Sequence, residues 1–185
     1  MTMLSEEILT RHCAPTLAGL KTGNIFSCEL EDRDALRDDL RELNRTLAGK
    51  GLRVIPLHYS DRKVMIYLYR PARLAADLQD RCAIRLLAER GYDLCSGTKA
   101  VLHLISRMRQ CSAFPHEIGL FLGYPPQDVE GFINQGSRSC KCAGHWKVYH
   151  DEKTARKTFA RYEKCTRIYQ EKIASGSTLC RLAVG

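Results

Sequence analysis

The stretch FPHEIGLFLGYPPQDVEGFI, residues 114–133, decides how the C-terminal half of this chain is predicted to fold. Pro115 suits the first position of a helix, where a missing N–H costs nothing. Gly123 can adopt the left-handed conformation that ends a helix, and Pro126 can start the next one. Gly119 is small enough for the two helices to approach closely. The stretch therefore predicts two short helices joined by a tight turn, the outline of a helix-turn-helix corner.

The second predicted helix argues against sequence-specific DNA binding. A recognition helix contacts base edges with its exposed N-terminal residues, which here are Pro126, Gln127, Asp128, Glu130 and Gly131. The helix also has no Lys or Arg before Arg138 to contact phosphates, and such contacts dominate affinity for DNA. We predict a corner that packs or binds a partner, and keep a helix-turn-helix-like DNA-binding protein as a further alternative.

The N-terminal part has the pattern of an α/β structure. Asn24–Leu30 alternates apolar residues with a period of two, which predicts a strand. Asp34–Ala48 has one apolar stripe at helical spacing. Arg53–Tyr59 and Lys63–Tyr69 are rich in Val, Ile and Tyr and are separated by three polar residues, Ser60–Arg62, which predicts a β-hairpin.

The pattern becomes helical from Pro71 onward. Leucines and Cys82 recur every four residues as far as Leu86, and a second stripe runs from Val101 to Met108. A strand-like run, His145–Tyr149, precedes a long basic helix predicted over residues 151–173. The predicted class is α+β, with a small three- to four-stranded sheet and a larger helical portion that includes the helix-turn-helix-like corner. We predict one compact domain over residues 1–185, α/β to about residue 70 and mainly helical over 71–185.

The N-terminal residues and the absence of long apolar runs in the sequence bear on the cellular location of the protein. Glu6 and Glu7 lie where a signal peptide would need a basic start, and no window approaches the roughly 18 apolar residues of a membrane span. We therefore predict a cytoplasmic protein that does not bind membranes. The net charge of +8 attracts polyanions. The basic residues are distributed through the chain and are densest on the last predicted helix, where a solvated face explains them.

Nine cysteines occur without the density of a secreted disulfide scaffold, so most are predicted to be reduced. Cys13 follows His12 near a predicted helix start, and helix N-termini lower thiol pKa values. A cysteine-dependent enzyme could therefore use Cys13 as its nucleophile with His12 or His116 as its base. The alternative is a buried thiol that behaves as a small hydrophobe.

A second group of thiols lies in the run CKCAGH, residues 140–145. Cys140, Cys142 and His145 could bind a metal or act as a redox pair, although zinc usually takes four such ligands and no second pair stands at a recognisable spacing. The cofactors that suit this chemistry are iron, haem or zinc. The alternative is an exposed loop whose cysteines have no specific function.

Three long motifs connect the chain to a known family. The runs HCAPTLAGLK, FPHEIGLFLGYPPQDVEGFI and KCAGHWKVYHDEKTARKTFARYEKCTRIY begin at residues 12, 114 and 141. Through them the chain resembles an uncharacterised domain-of-unknown-function family, number 3793, met mainly in anaerobic Gram-positive bacteria. The resemblance implies a stand-alone bacterial cytoplasmic protein and carries over no reaction or ligand. The motif positions here include His12, Cys13, His116, Glu117, Cys142 and Trp146.

The leading hypothesis is an accessory protein that binds a small ligand, a metal or a protein partner. In it, the His12-Cys13 pair, the helix start at His116 and the run 140–145 converge on one polar cleft, with His116, Glu117 and Trp146 as ligand-binding residues. This hypothesis and the Cys13 enzyme belong to different functional classes, and the sequence leaves both open.

Overall fold

A computed structural model describes residues 4–110 and 114–185, and contacts between residues divide the chain into two units. Unit 1 combines the chain as far as Ala72 with Lys164–Gly185, and unit 2 is Arg73–Glu163. The predicted α+β class is confirmed. The prediction of a single domain stays a prediction, but the sequence did not indicate that the last 22 residues, Lys164–Gly185, join the N-terminal part.

Unit 1 is built around an antiparallel sheet of β1 (Gly23–Glu29), β2 (Arg53–Tyr59) and β3 (Lys63–Tyr69), with the strand order β1-β3-β2. The predicted hairpin is confirmed with its predicted bounds, and a bulge lies in β2 between Pro56 and His58. The helices of this unit are α1 (Glu6–Leu17), α2 (Arg33–Ala48) and a short C-terminal helix, Leu179–Leu182.

Helix α2 follows the predicted apolar stripe. Its side chains at Leu36, Leu40 and Leu47 are buried. The Asp32 side chain accepts a hydrogen bond from the Asp34 amide at 2.8 Å, which caps the first turn. Asn44 then joins the helix to β2, because its side chain both donates to the Val54 carbonyl and accepts from the Val54 amide, at 2.7 and 3.0 Å.

Arg70 connects the two chain segments of unit 1. Its guanidinium donates to the carbonyls of Thr16 and Leu17 at 2.8 and 2.9 Å, which lie at the end of α1. It also donates to the Val184 carbonyl at 2.7 Å. The last carbonyls of a helix have no partner within the helix; Arg70 donates to two of those in α1 and also holds the C-terminal segment.

A lysine and a thiol are buried together in unit 1. Burial raises the pKa of the Cys13 thiol above its usual range, and the nearby Lys21 opposes this only in part. Burial also lowers the pKa of Lys21 to about 8, an effect that its electrostatic interaction with Cys13 opposes. Cys13 is fully buried, so this environment favours the protonated thiol over the thiolate that a nucleophile requires.

The Lys21 shift predicts a pH-dependent stability. The unfolded chain keeps this proton up to the ordinary pKa of 10.5, whereas the folded chain releases it near pH 8. Unfolding therefore takes up a proton in this window, and the folded state becomes relatively more stable as the pH rises. We expect the gap in free energy of unfolding between the wild type and Lys21→Met to shift by about 1 kcal/mol in favour of the wild type from pH 8 to 9.

Urea unfolding of both proteins at several pH values measures this gap, and titrations shared by the two proteins cancel in the difference. Lys63→Met, at an exposed position in the same unit, is the control and should give a gap that does not vary with pH. A gap for Lys21→Met that is equally constant would contradict the prediction.

Unit 2 is mainly helical. The predicted apolar repeat after Pro71 forms two helices and not one, because the Asp80 side chain accepts from the Cys82 amide at 2.8 Å and so starts a second helix. The elements are α3 (Pro71–Asp77), α4 (Arg81–Ala88), α5 (Gly97–Gln110), α6 (Ile118–Phe121), α7 (Pro126–Gln135), β4 (Cys142–Ala143), β5 (Lys147–Val148) and α8 (Glu152–Ala174). The first residues of α3 and the last of α8 fall within unit 1.

Candidate functional site

A groove of about 390 Å³ opens in unit 2 where the corner helices meet the β4-β5 hairpin. We call it the apolar groove, because most of the side chains around it are aliphatic or aromatic. Its polar members are His116, Asp128 and Lys147. Its other lining residues are Phe114, Ile118, Gly119, Leu122, Tyr124, Val129, Phe132 and Trp146.

The predicted corner forms one side of this groove. Helix α6 is shorter than expected, since residues before Ile118 form a turn. Gly123 has the left-handed φ of 73° that the sharp change of direction requires. A Cβ atom on Gly119 would lie 2.8 Å from Val129 Cγ2, so only glycine permits α6 and α7 to pack this closely.

Asp128 fixes the hairpin to the corner. The sequence predicted an exposed carboxylate at the start of a recognition helix, and that prediction is wrong, because Asp128 is buried. Its oxygens accept from the Trp146 indole N–H and from the backbone amides of Tyr149 and His150, all at 2.8 Å. One side chain thereby holds both the hairpin backbone and the Trp146 ring that lines the groove.

Two glycines leave the space in which aromatic rings pack next to the hairpin. A Cβ atom on Gly131 would lie 2.6 Å from Tyr149 Cβ, and one on Gly144 would lie 3.0 Å from Phe159 Cγ. Gly131 is buried, contrary to the sequence prediction that it is exposed. The Phe159 ring also meets the Trp146 ring edge-on, with 4.5 Å between ring centroids. Trp146 is thus held by ring packing as well as by Asp128.

Glu117 lies in a buried ion cluster beside the apolar groove. The residue is 2% exposed. Its carboxylate accepts from Arg107 Nε at 2.7 Å and from the Tyr92 hydroxyl at 3.0 Å, and it pairs with Arg90 Nε at 3.7 Å. Burial, and secondarily Glu117, raises the pKa of Tyr92 far above its usual range, so the tyrosine stays a hydrogen-bond donor.

The three proposed ligand-binding residues lie close together in unit 2. His116 and Trp146 line the apolar groove, and the His116 ring meets Phe132 edge-on at 4.9 Å between centroids. Glu117 and His116 both line a smaller neighbouring groove. Sequence reasoning missed Arg90, Arg107 and Tyr92, because their common partner lies 10 to 27 residues away and no local period connects them to it.

The other candidate residues have different surroundings. His12 stacks on Phe26 in unit 1, with 5.2 Å between ring centroids, and its pKa is lowered first by burial and then by Arg11. Cys13 belongs to the core of the same unit. Because Cys13 falls in unit 1 and His116 in unit 2, the predicted convergence of these residues on one cleft stays a prediction.

The thiols of the run 140–145 pack locally. The Cys140 thiol donates to the Ser137 carbonyl at 3.5 Å, and Cys142 packs against the small core that contains Val148 and Phe159. His145 contacts aromatic rings of α8. Over residues 4–110 and 114–185, no group of three or more His, Cys, Asp or Glu side chains is placed to hold a metal ion. The metal hypothesis for Cys140, Cys142 and His145 stays a prediction.

None of the described cysteines lines the apolar groove, and Cys111 lies outside the described residues.

Within the described part of the chain, no helix has the length and apolar character needed to cross a membrane.

Comparisons with known proteins identify a family and no individual relative. A family model described as "Protein of unknown function (DUF3793)" matches residues 9–183, which is nearly the whole chain. No curated protein and no solved structure matches the chain.

Proposed function

We propose that this chain, which belongs to the DUF3793 family of proteins of unknown function, binds a small, largely apolar molecule in the apolar groove of unit 2. The observation that carries the proposal is the groove itself, with its volume of about 390 Å³ and its mainly aromatic and aliphatic lining. Small-molecule sites in proteins have volumes of roughly 300–1,000 Å³, apolar walls and a few polar groups.

The aromatic lining favours a ligand with a flat ring system. Tyr124 and Trp146 stack with 5.2 Å between their ring centroids. Burial raises the pKa of Tyr124 to about 12, so this side chain is neutral at physiological pH. Aromatic side chains prefer offset-stacked or edge-to-face contacts with other rings, and Phe132 and His116 offer further ring contacts in the same groove.

The groove is preorganised for binding. The Asp128 hydrogen bonds and the close packing at Gly119 fix two of its walls. A site whose walls are already in place loses less conformational entropy when a ligand binds. The fixed walls therefore support a binding role for the groove. Separately, we propose that the protein acts in the cytoplasm.

The neutral fluorophore N-phenyl-1-naphthylamine tests this function. We expect one dye molecule to bind per wild-type chain, with fluorescence enhanced because the probe leaves water. Leu122→Trp should weaken binding by at least roughly tenfold, because Leu122 lines the groove and the larger side chain would fill it. Fluorescence titration measures both affinities.

Leu102→Trp is the matched control, since Leu102 is 61% exposed on α5 and lies outside the groove lining. It introduces the same side chain and should leave dye binding unchanged. Thermal unfolding of each variant verifies that it is folded. Absence of saturable binding to the wild type, or equal binding to wild type and folded Leu122→Trp, would reject the proposed function.

A further inference from the structure

We propose that the ligand of the apolar groove is an organic acid, and that Arg90 and Arg107 bind its single negative charge. The inference rests on the proposed function and specifies its ligand class. It begins with the smaller groove of about 250 Å³ that is lined by both arginines, by Glu117 and by His116. We call this second site the cationic groove.

The two grooves are adjacent. Phe114 and His116 line both of them. A ligand whose apolar body occupies the first groove can therefore extend one end past the His116 imidazole into the second. The apolar groove supplies ring contacts for the body, and the cationic groove supplies N–H donors for the end.

The charges of the cationic groove favour a monoanion. Its lining has two guanidinium groups and one carboxylate, a formal sum of +1 without the histidine. The Glu117 side chain is 3% exposed, whereas the side chains of Arg90 and Arg107 remain 21% and 28% exposed. The carboxylate is thus more enclosed than the two arginines that line the groove with it, so one carboxylate or sulfonate matches the net charge better than a doubly charged phosphate.

The other contacts of Arg90 do not cancel the net positive charge of the cationic groove. Arg90 Nη1 donates to the Leu86 carbonyl at 2.7 Å and lies 3.6 Å from the Glu89 carboxylate. Glu89 is half-exposed and also pairs with Arg85, and pairs of this kind contribute little in water. Glu117 is the positioning residue, because it contacts the Nε atoms of both arginines and so orients their planar groups.

Guanidinium chemistry suits this ligand class. The guanidinium of Arg is always charged and presents a planar fork of donors that fits the two oxygens of a carboxylate. Donors that are held in place by a buried carboxylate keep their geometry before the ligand arrives. This gives the buried Glu117 cluster a functional explanation in addition to a structural one.

Two dyes that differ by one charged group test the inference. The probe 8-anilinonaphthalene-1-sulfonate has the ring system of N-phenyl-1-naphthylamine plus a sulfonate. We expect the wild type to bind the anionic dye roughly tenfold more tightly than the neutral one, as a charge-assisted hydrogen bond implies. Arg90→Gln should remove this preference, which is the ratio of the two dye affinities measured on the same variant.

Two further variants complete the experiment. Arg81→Gln, at an exposed position of α4 outside the lining of both grooves, should keep the preference. Arg90→Lys retains the charge beside Glu117 but loses the fork, and should reduce the preference several-fold; it replaces Arg90→Gln if that variant does not fold. Added salt should weaken binding of the anionic dye more than of the neutral dye.

The outcomes separate the two proposals. If Leu122→Trp blocks the neutral dye but the wild type binds both dyes equally, the organic-acid inference is wrong and the groove remains a binding site. The same conclusion follows if folded Arg90→Gln and Arg90→Lys both keep the full preference. If neither dye saturates the wild type, the proposed function itself fails.

Discussion

Asp128→Ala is expected to lower the free energy of unfolding by about 4 kcal/mol and to weaken binding of the neutral dye roughly tenfold. The substitution leaves three donors without their acceptor, namely the Trp146 indole N–H and the Tyr149 and His150 amides. A buried donor that loses its partner costs about 1–3 kcal/mol, and relaxation of the hairpin recovers part of the total. The affinity falls because the Trp146 ring is no longer fixed at the groove wall.

Chemical denaturation and dye titration measure these two effects. Asp128→Asn retains one oxygen acceptor and should show about half the loss of stability. Gln127→Ala changes the exposed neighbouring residue and should change stability by less than about 0.5 kcal/mol. A folded Asp128→Ala protein with wild-type stability and wild-type dye affinity would show that these hydrogen bonds do not hold the hairpin.

Glu117→Leu is expected to destabilise the protein by about 3 kcal/mol, the lower end of the range for removing one partner of a buried ion pair. The leucine keeps a similar volume but leaves two guanidinium groups and the Tyr92 hydroxyl facing an apolar side chain. Because both arginines are partly exposed, they can turn toward water, and this limits the loss.

Glu130→Gln is the surface control for this prediction. Glu130 pairs with Arg85 at 2.6 Å, but these side chains remain 31% and 50% exposed. Its removal should cost at most about 1 kcal/mol, because water replaces the partner. Urea denaturation of both variants gives the comparison, and equal losses for Glu117→Leu and Glu130→Gln would disprove the special role of the buried cluster.

Local sequence was sufficient for much of the fold. The bounds of β2 and β3 follow from their apolar composition and the polar turn between them, and all of these signals lie within 17 residues, Arg53–Tyr69. Helix α2 follows its leucine stripe, and Gly123 and Pro126 define the corner. Such features depend on backbone preferences and on side-chain periods of two or 3.6 residues, which neighbouring residues determine.

The same sequence indicated parts of the candidate site. His116 and Trp146 were selected as ligand-binding residues, and both line the apolar groove. It did not indicate that the groove is mainly apolar or that arginines lie beside it. Those properties depend on which side chains meet after residues 114–133 and 146–147 pack together, and one-dimensional spacing contains no such information.

Only the tertiary structure decided the role of the buried charges. Asp128 was predicted from the sequence to be an exposed carboxylate on a helix, yet it is buried, as is Lys21. The partners of Asp128 lie 18 to 22 residues along the chain. A charged side chain can be buried when distant donors or acceptors compensate for the lost water, and those partners become neighbours only when the chain has folded.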